Sequence, residues 1–83
     1  MTTLTGLQDT VAERVRAVMA ARRLGLAAVS ASLGISHDAL SRRLNGSVAF
    51  SIAEIEKFAA LTGYKPGDFI ADSFAILPMG RAA

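Results

Sequence analysis

At 83 residues the chain has room for one domain and one modest core, because a chain of this size buries only somewhat more than about 60% of its unfolded surface; a large enzyme cleft is not expected. Cysteine is absent, which excludes a disulfide scaffold or a cysteine zinc site as compensation for the small core and leaves apolar packing to carry the fold. The net charge is only +2, but the segment from Arg14 to Arg43 holds six arginines (14, 16, 22, 23, 42 and 43) against Asp38 alone, +5 there against −3 elsewhere, a distribution that fits either a face that meets phosphates or an arginine-rich solvated surface.

No apolar run reaches the roughly 18 residues of a membrane span, and no charged leader precedes an apolar stretch, so a soluble cytoplasmic protein without a membrane partner is expected. A hydrophobic fraction of 52% and a mean hydropathy of +0.40 are high for so small a domain, and point to a partner that covers some apolar surface.

The first helix is predicted to begin near Thr5, where Thr5 and Gln8 have the form of a capping box weakened by Gly6. Leu7, Val11, Val15 and Val18 recur at helical spacing as its buried stripe. Leu24-Gly25 breaks the pattern, and a short second helix carrying Val29 and Leu33 runs to Gly34, with Gly25 as its N-cap. In the turn Gly34-Ile35-Ser36, glycine supplies a positive φ, isoleucine plugs the core and serine caps the third helix. That helix runs from about His37 to Leu44, apolar at Leu40 and Leu44, and Asn45-Gly46 ends it.

The fourth helix starts at Ser51, which forms a capping box with Glu54 while Phe50 and Ile55 occupy the places of a hydrophobic staple. Ile52, Ile55, Phe58, Ala59 and Thr62 form its inner stripe, and Gly63 stops it. Pro66 opens a short fifth helix through Phe69 and Ile70. Ser73 to Met79 reads as a helical extension or a short strand, and Gly80 to Ala83 as a loose end. The division is therefore residues 1–72 as one all-α domain and 73–83 as an apolar tail. Phe74, Ile76, Leu77 and Met79 are candidates for dimerisation; the competing reading packs this segment beneath the first helix.

The stretch from Val29 to Gly46, VSASLGISHDALSRRLNG, with helices on either side, resembles the repressor-type helix-turn-helix family (phage Cro and repressor proteins, XRE-like) over about Val11 to Ile70. Small Ser30 fits the close crossing of the two helices, and Gly34 the turn between them. The resemblance implies a compact five-helix, lambda-repressor-like domain. It also implies a second helix of the pair lying in the major groove of double-stranded DNA with its N-terminal residues against base edges.

By position the base readers are then His37, Asp38, Ser41 and Arg42. Arg42 is favoured, since guanidinium to guanine O6 and N7 is the commonest specific contact, worth about 1 to 3 kcal/mol. Asp38 either accepts from cytosine N4 or serves the helix dipole and pairs with Arg42. Ser36, Arg43 and Asn45, with Arg22 and Arg23 at the flank, are the candidate backbone contacts. A homodimer would set two such helices about 34 Å apart on a pseudo-palindromic operator.

Three departures from the family pattern stand out. Leu26 occupies the place where many relatives carry a phosphate-touching glutamine. Met19 and Leu44 replace an arginine–glutamate pair, as if a hydrophobic contact had replaced an ion pair. Ser47-Val48-Ala49 lacks basic residues, which predicts weaker binding per monomer.

The expected function is a bacterial or phage transcriptional regulator acting by operator occupancy. The alternative is a protein-interaction module on the same scaffold, such as an antitoxin or adaptor. One histidine, no cysteine, no phosphate-cradling glycine loop and no paired carboxylates predict no enzyme, cofactor, metal or small-molecule substrate.

Overall fold

A computed structural model describes residues 6–76, which form α1 (Gly6–Arg22), α2 (Leu26–Leu33), α3 (His37–Leu44), α4 (Ile52–Thr62) and a 3-10 helix (Pro66–Phe69). The all-α reading holds, with one difference in count. The fifth helix is a single 3-10 turn, because Asp68 Oδ2 accepts from the Lys65 backbone N–H at 3.0 Å and Ile70 N already donates to Gly67 O at 3.1 Å, closing the segment after one turn. Residues 73–76 adopt neither a helix nor a strand, and 77–79 lie outside the described residues. So does Thr5; its expected partner Gln8 donates its side-chain amide to the Gly46 carbonyl.

All four α-helices end in one way. The residue after the helix, or in α3 the second residue after it, takes a left-handed conformation (Arg23 φ 56, Gly34 φ 74, Gly46 φ 86, Gly63 φ 82), and the next N–H reaches back across the last turn. Leu24 donates to Met19 O at 2.9 Å, Ile35 to Ser30 O at 3.1 Å, Ser47 to Arg42 O at 3.0 Å and Tyr64 to Ala59 O at 3.0 Å, the bond that defines this termination. In three of the four, the residue that makes it is then turned inward: Tyr64 joins the core, and Leu24 and Ile35 pack against it. Three positions use glycine, which adopts this conformation without steric cost; the fourth uses Arg23.

The core gathers Val11, Val15, Val18 and Met19 of α1, Val29 and Leu33 of α2, Leu40 of α3, Ile55, Phe58 and Ala59 of α4, and Phe50, Tyr64 and Phe69. Burying a side chain of the Val, Leu or Phe class is worth about 1.5 to 3 kcal/mol each. α2 packs on α3 and α4; α1 packs on α3 and on the 3-10 helix, which also contacts α4. Leu7 and Ile52, expected on inner stripes, are instead 57% and 68% exposed. Each sits in the first turn of its helix, ahead of the part that the other helices cover.

Phe74 and Ala75 are held against the domain. Phe74 stacks on Tyr64 at 5.5 Å and lies 5.6 Å from Phe69, Arg14 lies over its ring at 5.2 Å, and Tyr64 Oη donates to Ala75 O.

Candidate nucleic-acid interface

Helices α2 and α3 are set by the turn between them. Gly34 closes α2, Ile35 folds inward, and Ser36, extended at φ −74, begins α3 with its Oγ accepting from Ala39 N at 3.0 Å. Ser30 is buried and donates its hydroxyl to Ala27 O within its own helix, so the crossing of α2 and α3 leaves no orphaned polar group at this position.

In α3, Leu40 is fully buried, which turns the opposite side outward. His37, Asp38, Ser41, Arg42 and Asn45 are all exposed, four of them within two turns. Arg42 Nη2 and Asp38 Oδ2 lie 2.8 Å apart on this face, with side chains 62% and 73% exposed. A face of hydroxyl, imidazole, carboxylate, guanidinium and amide groups, with no large apolar side chain among them, has the hydrogen-bonding inventory that base edges require.

A family model of the helix-turn-helix domain matches residues 10–69. The chain belongs to this family. Neither a curated protein nor a solved structure matches it.

Within this helix-turn-helix domain the candidate backbone residues divide. Ser36, Arg23 and Asn45 are exposed, although Asn45 Oδ1 is engaged by Ser47 N at 2.9 Å. Arg43 is turned into the protein: its Nε lies 2.8 Å from Glu54 Oε1 and its Nη1 donates to Ala39 O at 3.0 Å. Arg22 donates to Thr62 O at 2.7 Å and lies over the Tyr64 ring at 5.6 Å.

These bonds change what the arginine-rich segment means. Arg16 donates to Leu44 O at the end of α3, Arg22 to the last carbonyl of α4, and Arg14 to Asp68 O and to Ala71 O at 2.6 Å around the end of the 3-10 helix. Cations at helix C-termini satisfy carbonyls that have no intrahelical partner and oppose the negative end of the dipole. α1 thus serves as a rail of guanidinium groups that fastens the ends of three later elements. Sequence reading did not find this, although arginines at 14, 16 and 22 lying off the apolar stripe were its available sign.

Glu54 is the other residue with a larger role than its motif implied. Its Oε1 accepts from Ser51 N at 3.0 Å, completing the capping box, and also from Arg43. Burial works against its charged form, but the Arg43 side chain, the Ser51 hydrogen bonds and the Arg43 charge together outweigh that and hold the carboxyl below its ordinary value. Through Glu54 the start of α4 anchors α3.

At the departures from the family pattern, Met19 is in the core and Leu44 packs against the same cluster, in keeping with apolar packing where a charged pair was absent. Leu26 is 38% exposed and shares a shallow depression with Arg16, Ser41, Leu44 and Asn45, beside the exposed face of α3. No helix among the described residues is long and apolar enough to cross a membrane.

Proposed function

We propose that this chain is a sequence-specific double-stranded DNA-binding transcriptional regulator of the Cro/repressor type, acting by operator occupancy. The observation that carries this reading is the exposed polar face of α3, opposite buried Leu40, on a helix-turn-helix domain. On this reading α3 lies in the major groove, with His37, Asp38, Ser41 and Arg42 toward the bases and Ser36, Arg23 and Asn45 toward phosphates. Arg22 and Arg43 act on the duplex through their charge, both guanidinium groups being held by partners within the protein. A homodimer on a pseudo-palindromic site is part of the proposal. Phe74 is already packed within its own chain, so the dimer contact falls to exposed Ile76 with Leu77 and Met79, the last two beyond the described residues.

Selection of bound duplexes from a random pool, followed by binding at rising salt, tests the reading. The expected result is an inverted repeat, affinity that falls steeply with salt, and an Arg42→Ala variant with flattened preference at one base pair. Absence of any complex at low ionic strength would remove it.

The second reading, a protein-interaction module, is favoured by a groove lined by Leu7, Val11, Phe50, Ile52, Ile55 and Ile70, in which Leu7, Ile52 and Ile70 are largely exposed. Such a module would show neither the salt dependence nor the effect of Arg42→Ala.

A further inference from the structure

We infer that Asp38 is a positioning residue for Arg42: its carboxylate holds the guanidinium across the outer face of α3 so that the remaining N–H groups meet a guanine, and Asp38 itself contacts no base. The inference rests on the proposed DNA-binding reading and assigns a specificity determinant within it.

The pair is made along one helix at i, i+4, with the acid on the N-terminal side, the favourable order for a helix. At 2.8 Å between Nη2 and Oδ2 it is a close ion pair. Arg14, Arg16, Arg22 and Arg43 are all drawn onto backbone carbonyls or half-buried Glu54. Arg42 is held by a group on its own helix and stays at the surface. A free arginine loses much rotamer freedom when it docks on a base, and a side chain already restrained by a neighbouring carboxylate loses less. The ion pair involves Nη2 alone, which leaves the other guanidinium nitrogens to meet guanine O6 and N7.

Charge supports the same assignment. On the outer face of α3 the Arg42 cation is offset by the Asp38 anion, which lowers its attraction for phosphate, and the Asp38 carboxylate repels any register that brings phosphate to Arg42. A guanine edge offers two acceptors without a formal charge and is not penalised in this way. Asp38 Oδ2 is taken up by the pair, so a contact with cytosine N4 would fall to Oδ1 and would show as a preference at a base pair other than that of Arg42.

The experiment uses the full chain and the duplex recovered by selection, with each base pair varied singly. Proteins compared are wild type, Asp38→Ala, Asp38→Asn, Arg42→Ala and the Asp38→Ala/Arg42→Ala double variant. Both residues are exposed, and unchanged melting of the variants verifies the fold. Asp38→Ala is expected to reduce guanine preference roughly two- to fivefold, the span of an exposed ion pair, at the same base pair that Arg42→Ala flattens, while tightening binding to random duplex. Asp38→Asn, which keeps an acceptor in place, recovers part of the preference, and the double variant is no less selective than Arg42→Ala alone. Loss of preference at a base pair that Arg42→Ala leaves untouched, or preference unchanged in Asp38→Ala, would overturn the inference while leaving DNA binding intact. Failure of wild type to bind any duplex would overturn the underlying reading instead.

Discussion

The contact between Arg43 and Glu54 joins the recognition helix to the start of α4, and removing its charge is expected to weaken the whole domain. The two side chains are 19% and 12% exposed, and the same Glu54 oxygen takes Arg43 Nε at 2.8 Å and Ser51 N at 3.0 Å. A hydrogen bond to a charged group contributes about 1.5 to 3 kcal/mol. Glu54→Gln keeps an acceptor for both donors but leaves a half-buried guanidinium without its counter-charge, so a loss of about 1 to 2 kcal/mol is expected. In a domain of this size that lowers the melting temperature by roughly 5 to 15 °C. Glu54→Ala also removes half of the capping box and should cost about 1 kcal/mol more.

The pH dependence has a definite sign. Because the folded carboxyl titrates below its ordinary value of 4.5, its contribution is complete above that value and is lost as the pH falls through the lower folded value. Thermal melts of wild type and Glu54→Gln between pH 7 and pH 3 should therefore converge toward the acid end. Equal melting temperatures at pH 7, or a gap that persists unchanged at pH 3, would refute the assignment of this pair as the tie between α3 and α4.

Four further outcomes are expected. Arg23→Gly relieves a non-glycine residue at φ 56 and should stabilise the fold by up to about 1 kcal/mol, while a lost phosphate contact lowers the slope of log affinity against log salt by about 1; chemical denaturation and salt titration read the two effects apart. Gly46→Ala places a Cβ 2.6 Å from Asp9 Oδ1 at φ +86; the end of an aspartate side chain can move, so a cost of about 1 to 2 kcal/mol, from the backbone conformation, is expected in urea unfolding. Phe74→Ala strips two aromatic contacts and the Arg14 stacking, and should destabilise a monomer by about 2 to 4 kcal/mol without altering sedimentation. Leu26→Gln, at the edge of the α3 face, is expected to add one phosphate contact and tighten binding to all duplexes alike, as mobility shifts on specific and random DNA would show.

Punctuation and periodicity determined the helical plan without tertiary information. The caps at Ser36 and Ser51, the capping-box bond of Glu54, and the glycines at 34, 46 and 63 act through bonds within a few residues of themselves, so these roles are visible in the order of amino acids, whereas the tie from Glu54 to Arg43 is not. The alternation that buries Val11, Val15, Val18, Leu40 and Phe58 is equally local. What neighbours cover is not. Leu7 and Ile52 satisfy helical periodicity yet stay in the open, because burial depends on whether another helix arrives over the first turn. The arginines show the same limit more sharply. Their crowding between residues 14 and 43 is a fact of composition, but the carbonyls of Leu44, Thr62 and Ala71 that receive Arg16, Arg22 and Arg14 come from 28 to 57 residues away. Only the folded chain brings those ends beside α1, and so only it separates the guanidinium groups that fasten the domain from Arg42, which remains at the surface.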